Sequence, residues 1–170
     1  LTLLAENGTS NDTWKTILGD NFPTGNASAD SMSLVKAMSQ DAALKVGHRQ
    51  KLAYPMQAPK PNATITATVT LPSGESFDLV NDGPAIPKGS KVVYRVNCGP
   101  VKGGSVKWQV TNTGEEALRV CRRGGFEIPN EGKTSRREET AYTGKHYVQC
   151  FVIRRGYCVR WSKPFFINVE

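Results

Sequence analysis

Two short runs hold most of the residues that could do chemistry. Leu118-Arg119-Val120-Cys121-Arg122-Arg123-Gly124-Gly125 sets three arginines beside two glycines. A guanidinium offers a planar fork of donors that matches phosphate or carboxylate. Glycine lets the main chain come close to whatever is bound. Arg136-Arg137-Glu138-Glu139-Thr140 adds two more arginines, and Tyr142 and His146 follow. The candidate ligand-binding residues are therefore Arg122, Arg123, Arg136, Arg137, Glu139, Tyr142 and His146. Each has a plainer reading. Surface arginines are often solvated charge, and Glu139 also reads as a neutralising partner for a neighbouring arginine. Trp108, Tyr147, Tyr157 and Trp161 could stack on a base or fill a core. The mid-strand position of Trp108 favours the core. Arg154-Arg155-Gly156 reads as an exposed hairpin tip.

Catalysis finds little support. No GxSxG elbow, HExxH helix, P-loop or GxGxxG turn is present. The C-terminal half has one histidine, His146, and its acids are all glutamates. His146 and Cys150 stand four residues apart on one strand face, about 13 Å at the usual strand rise. That is too far for direct proton transfer. Cys98, Cys121, Cys150 and Cys158 have no CxxC spacing, and His48 lies far from His146. No metal site and no cofactor are expected. The four thiols are expected to be reduced and mostly buried.

Charge is unevenly placed. The 170 residues carry a formal net charge of +7. Residues 1–90 sum to −1 and residues 91–170 to +8, and most bases of the second part are arginine. An anionic partner, a nucleotide or RNA, is the chemistry that such an excess suits. No run of about 18 apolar residues exists, so no membrane-spanning helix is expected. The chain opens on Leu1 and has no signal-peptide core, so it reads as a segment of a longer protein.

The elements that must position these residues follow from periodicity. Asn11-Asp12 can cap a short helix that carries Trp14, Ile17 and Leu18 on one face before Gly19 and Pro23 stop it. Residues 1–23 thus read as the end of a helical unit. Residues 24–62 read as a linker, polar at first, with a weak helix across about 33–46 and a proline-rich connector over 47–62. From residue 63 the period becomes two. Ala63, Ile65, Ala67, Val69 and Leu71 share one face, and four threonines take the other. Further strands are expected over 76–80, 91–97, 105–111, 138–143, 146–154, 157–162 and 165–169, with glycine-rich turns between most of them. Residues 113–137 are irregular and too long for a passive connection, so they are expected to be functional.

The expected fold is therefore all-β, an antiparallel sandwich of about seven or eight strands over 63–170 with a short N-terminal helical segment. Cys98 at a strand end, Trp108 in the next strand and Cys150 near tyrosines have the order of an Ig-like core. The indole would fill the space between two sheets against the sulfurs.

Several spaced strings point further. Residues 108–117 read W-x-V-x-N-x-G-x-E-A, followed by Arg123-Gly124. Residues 139–150 read E-T-x-Y-x-G-x-H-x-V-x-C, and residues 164–169 read P-F-F-I-N-V. In this order they resemble the adenylyl/guanylyl and SMODS C-terminal sensor domain of bacterial nucleotidyltransferases, which make cyclic oligonucleotide signals in anti-phage defence. Residues 14–23 resemble the W-x-x-x-F-G-x-x-F-P string near the end of the synthase's helical part, with Leu18 in place of the first phenylalanine. The resemblance covers residues 91–170 well and 11–23 moderately. It implies a cytoplasmic, non-catalytic regulatory domain that perceives a ligand and controls an N-terminal nucleotidyltransferase domain. The Gly-Ser motif and paired aspartates of such a synthase are absent, so no synthase activity is implied for this piece. Two other readings stand beside it. One is an Ig-like protein-interaction module that recognises a phage or partner protein through a sheet face or edge. The weaker one is a small hydrolase built on His146 or Cys150.

Overall fold

The computed structural model describes residues 42–100 and 102–170. The helix expected near Trp14, the polar stretch from residue 24 and most of the weak helix expected over 33–46 lie outside the described residues. A helical turn at 42–44 is what is described of the last.

Nine strands and one short helix form among the described residues. They are β1 (Thr64–Thr70), β2 (Ser76–Leu79), β3 (Lys91–Asn97), β4 (Gly104–Thr111), α1 (Glu115–Arg119), β5 (Phe126–Glu127), β6 (Arg136–Glu139), β7 (Gly144–Arg154), β8 (Tyr157–Trp161) and β9 (Phe165–Val169). The first sheet has the order β2-β1-β3-β6. The second runs β5-β4-β7-β8, and β9 pairs with the opening half of β7. All of these strand pairs are antiparallel.

The alternation read from residue 63 explains the core. Ala63, Ala67 and Val69 are buried with Val92 and Tyr94 of β3. They meet Val106, Trp108, Val148, Cys150 and Val152 from the second sheet in one hydrophobic cluster. Trp108 is fully buried and sits opposite Cys150 in the ladder. Its ring centroid lies 6.2 Å from that of Tyr94, and its indole N–H donates to the Thr134 carbonyl at 3.2 Å. Burying a large apolar side chain contributes about 1.5–3 kcal/mol, and an indole needs such a partner for its N–H. Cys98, Cys150 and Cys158 are buried free thiols, and Cys121 is exposed.

Three details depart from the sequence expectation. The strand expected over 138–143 begins earlier and is done at Glu139. Residues 113–137 contain α1 and β5, five and two residues long. Neither length can display a helical or strand period. Strand β7 is buried on both faces. Its inward residues Val148, Cys150 and Val152 join the core, while Tyr147, Phe151 and Ile153 face outward.

That outer face is covered by the segment that precedes β1. Ala43 and Leu44 pack on Tyr147 and Phe166, and Leu52 and Tyr54 pack on Phe151, Ile153 and Cys158. The polar contacts of this strap are specific. Arg49 Nη2 donates to Gln149 Oε1 at 3.0 Å, and its guanidinium lies over the Tyr147 ring at 5.9 Å. Gln109 Nε2 donates to the Gln50 carbonyl at 2.6 Å. His48 Nε2 bonds the Asn112 carbonyl at 3.0 Å. Buried Gln109 and Gln149 are thus both satisfied, as buried amides must be.

Candidate anion-binding groove

The end of the sandwich that carries the arginines is built by one interlocking contact. Gly114 opens α1 with φ 104, and Gly144 opens β7 with φ 128. They lie back to back: a Cβ on Gly114 would come within 2.8 Å of the Thr143 carbonyl, and one on Gly144 within 2.7 Å of the Thr113 carbonyl. Glu116 ties the same two loops. Its Oε2 accepts from the Thr143 N–H at 2.8 Å and hydroxyl at 3.1 Å, and its Oε1 accepts from Lys88 Nζ at 2.5 Å. The Lys88 bond first, then those from Thr143, hold the carboxyl down to about 2. Ala117, one residue on, is fully buried.

His146 closes the lock. Its Nδ1 accepts from the Thr113 N–H at 3.1 Å, and its Nε2–H donates to the Tyr142 carbonyl at 2.7 Å. Those two bonds fix a neutral tautomer. Burial moves its pKa below the ordinary value. Both ring nitrogens are spent on main chain, so His146 positions the Tyr142 loop and leaves no nitrogen for a ligand.

Asn112 sets the arginines. Its Nδ2 donates to the Arg122 carbonyl at 2.9 Å, and its N–H donates to the Arg123 carbonyl at 3.0 Å. The Val110 N–H reaches the Gly125 carbonyl at 2.9 Å. Residues 122–125 thereby run along β4 as an irregular extension of β5. Gly124 has φ 86, and a Cβ there would overlap the Val110 carbonyl. The glycine expected to admit a ligand in fact admits the neighbouring strand. Gln50 of the strap buttresses the same segment, accepting at Oε1 from the Phe126 N–H at 3.3 Å.

The result is an open groove of about 510 Å³ lined by Gln50, Asn112, residues 121–127, Arg136, Glu138 and Tyr142. Four of the seven sequence candidates meet there: Arg122, Arg123, Arg136 and Tyr142. Tyr142 also lines an adjoining cavity of about 110 Å³ with Glu139 and His146. Arg137 lines neither. The register opposes Glu138 to inward Val92 and Arg136 to inward Tyr94, which puts Arg137 and Glu139 on the outer face of β6. Arg137 pairs there with Glu131 at 2.9 Å.

The arginines are not equivalent. Arg136 is half-buried and neutralised: Nε meets Glu138 at 2.5 Å, Nη2 meets Glu127 at 3.6 Å, and Nη1 donates to the Ile128 carbonyl at 2.8 Å. Arg122 and Arg123 are exposed and form no ion pair within the described residues. Sequence reading missed Gln50, Asn112 and the two carboxylates on Arg136. Asn112 stands inside the W-x-V-x-N string, a usable signal; Gln50 has no local signal at all. Among the described residues no group of His, Cys, Asp or Glu is placed to hold a metal. Burial raises the Cys150 thiol well above its ordinary value. The arrangement offers a ligand positive charge and hydrogen-bond donors.

Residues 44–170 match the model of the Adenylyl/Guanylyl and SMODS C-terminal sensor domain. The chain belongs to that family. The sensor domain is associated with nucleotidyltransferases. No curated protein matches the chain. The matched span opens within the strap, at residue 44. In this sensor domain the strings that carry the resemblance are mutual contacts. Gly114 of the first string abuts Gly144 of the second, Thr113 donates to His146, and Glu116 accepts from Thr143. Trp108 and Cys150 face each other in the core. No helix among the described residues is long and apolar enough to cross a membrane.

Proposed function

We propose that this sensor domain is a non-catalytic, cytoplasmic regulatory module that binds an anion, a nucleotide or RNA, through Arg122 and Arg123. Its occupancy would control cyclic oligonucleotide synthesis by an N-terminal nucleotidyltransferase domain in anti-phage defence. One observation carries the reading: two adjacent guanidiniums without a carboxylate partner rim a groove whose main chain is pinned by Asn112. Pinning lowers the ordering cost of binding, and unpaired forks suit phosphate oxygens. Tyr142, half-buried in the same groove, offers a ring for a base. The strand order, with β1, β3 and β6 in one sheet and β5, β4, β7 and β8 in the other, supports an Ig-like topology.

The test is binding of a short single-stranded RNA and of ATP by the wild type and by Arg122→Glu/Arg123→Glu, across a salt titration. A steep loss of affinity with salt, abolished in the variant, is expected because bound cations release counterions. Salt-insensitive binding that the variant retains would sink the reading.

A protein-interaction surface is the second reading. Leu118 and Val120 flank Arg119 and are each about half exposed, at 50% and 49%. A partner that presses on those side chains would be lost in Leu118→Asp/Val120→Asp and kept in the arginine variant.

A further inference from the structure

A second cationic depression lies at the other end of β4, about 20 Å from the groove at ordinary strand rise. Lys102, Arg154 and Arg160 line it, over an apolar floor of Pro100, Val152 and Val159, in about 450 Å³. Among the described residues no carboxylate and no aromatic ring lines it. Sequence reading treats residues 154–156 as a hairpin tip. The structure divides that run. Arg155 and Gly156, at φ 50 and 81, make the tight two-residue turn. Arg154 stays in the ladder opposite Gly104 and lines the depression.

Three features distinguish this cluster from scattered surface charge. First, the ion-paired cations Lys88, Arg136, Arg137 and Lys145 each have a carboxylate, whereas Lys102, Arg154 and Arg160 have none within the described residues. Gathering like charges over apolar walls is unfavourable until an anion arrives. Second, Arg160 is held in place. Its Nη1 donates to the carbonyls of Cys98 and Pro100, the latter at 3.1 Å, which leaves Nε and Nη2 for another acceptor. Third, Arg160 comes from β8, Arg154 from the end of β7 and Lys102 from the loop before β4. Three separate segments converge on one volume, as in a binding pocket.

We propose that the Lys102–Arg154–Arg160 depression is a second anion site, which takes a phosphate group, free or carried on a nucleic-acid backbone, without reading a base. The fork of Arg160 supplies directional donors, and Lys102 and Arg154 supply charge. No ring among the described residues lines the depression to stack on a base. The site stands independently of the Arg122–Arg123 groove.

The experiment titrates inorganic triphosphate and a short single-stranded RNA into the whole 170-residue chain at low salt. The variants are Lys102→Glu/Arg154→Glu and Arg122→Glu/Arg123→Glu. Arg160 is left in place because it also holds a loop. Thermal melts check that the variants are folded. Binding of triphosphate that falls about tenfold or more in the first variant and persists in the second is the expected result. RNA binding with that pattern, without triphosphate binding, supports the site with a strand backbone as its source. No binding of either probe, or binding untouched by Lys102→Glu/Arg154→Glu, overturns it. Loss confined to Arg122→Glu/Arg123→Glu also overturns it, and leaves the groove reading standing.

Discussion

The end of the sandwich that carries the arginines contains two regions built on opposite rules. In the lock of Gly114, Glu116, Gly144 and His146, each polar side chain has its partner. On the rim, Arg122 and Arg123 have main-chain partners but no counter-charge. The difference separates two roles for a polar residue. The lock residues are required because the fold closes through them. The rim residues join the fold through their main chain, and their exposed guanidiniums form no ion pair within the described residues. A string that identifies a family need not be the string that binds its ligand.

The largest stability effect is expected at the lock. Gly144→Val places a branched side chain at φ 128 against the Thr113 carbonyl. Left-handed strain and the overlap should together cost about 3 kcal/mol or more, read by urea denaturation. A variant as stable as the wild type would mean that the two glycines merely adjoin.

His146→Ala comes next. It strips the part-buried Thr113 N–H and Tyr142 carbonyl of their partner, and each orphan costs up to about 1 kcal/mol at that exposure. The histidine also gives a pH signature. Its folded pKa lies below the ordinary 6.5, so the unfolded chain binds the proton more readily. Its contribution is complete above about 6.5 and is lost as pH falls toward the folded value. Wild-type stability should decline over that window, and His146→Gln should decline less. Equal slopes would break the assignment of a neutral, main-chain-bound ring.

A smaller change is expected at Glu116, which is partly exposed. Its carboxyl is held at about 2 against an ordinary 4.5. Its contribution is present above 4.5 and is lost as pH falls through about 2. Glu116→Gln should flatten the acid limb of the stability curve, measured by thermal melting at successive pH values.

The smallest stability effect belongs to the rim. Arg122→Glu/Arg123→Glu should leave the unfolding free energy within about 0.5 kcal/mol of wild type while it removes anion binding. Substantial unfolding in that variant would erase the contrast between lock and rim.

Much of the fold was legible because its signals are local. Alternation of apolar and polar residues set β1, and short apolar segments between turn signals set β3, β4, β7 and β9, nearly at their observed bounds; Trp108 was read as core from its place in a strand. The two-residue β5 and the five-residue α1 were not legible, since neither completes two periods of its pattern. The candidate site was half legible: composition singled out the arginines but could not say which were already spent.

What the sequence alone determined is most of the strands, the turns between them and the basic excess of the second half. All three depend on neighbours in the chain. The tertiary structure decided which charges remain available. Arg136 is neutralised by carboxylates at 127 and 138, and Gln50 reaches the groove from the strap. Lys102 comes to line one depression with Arg154 and Arg160 only after β4, β7 and β8 pair. Electrostatic pairing depends on distance in space, and distance in space is fixed only when the sheets close.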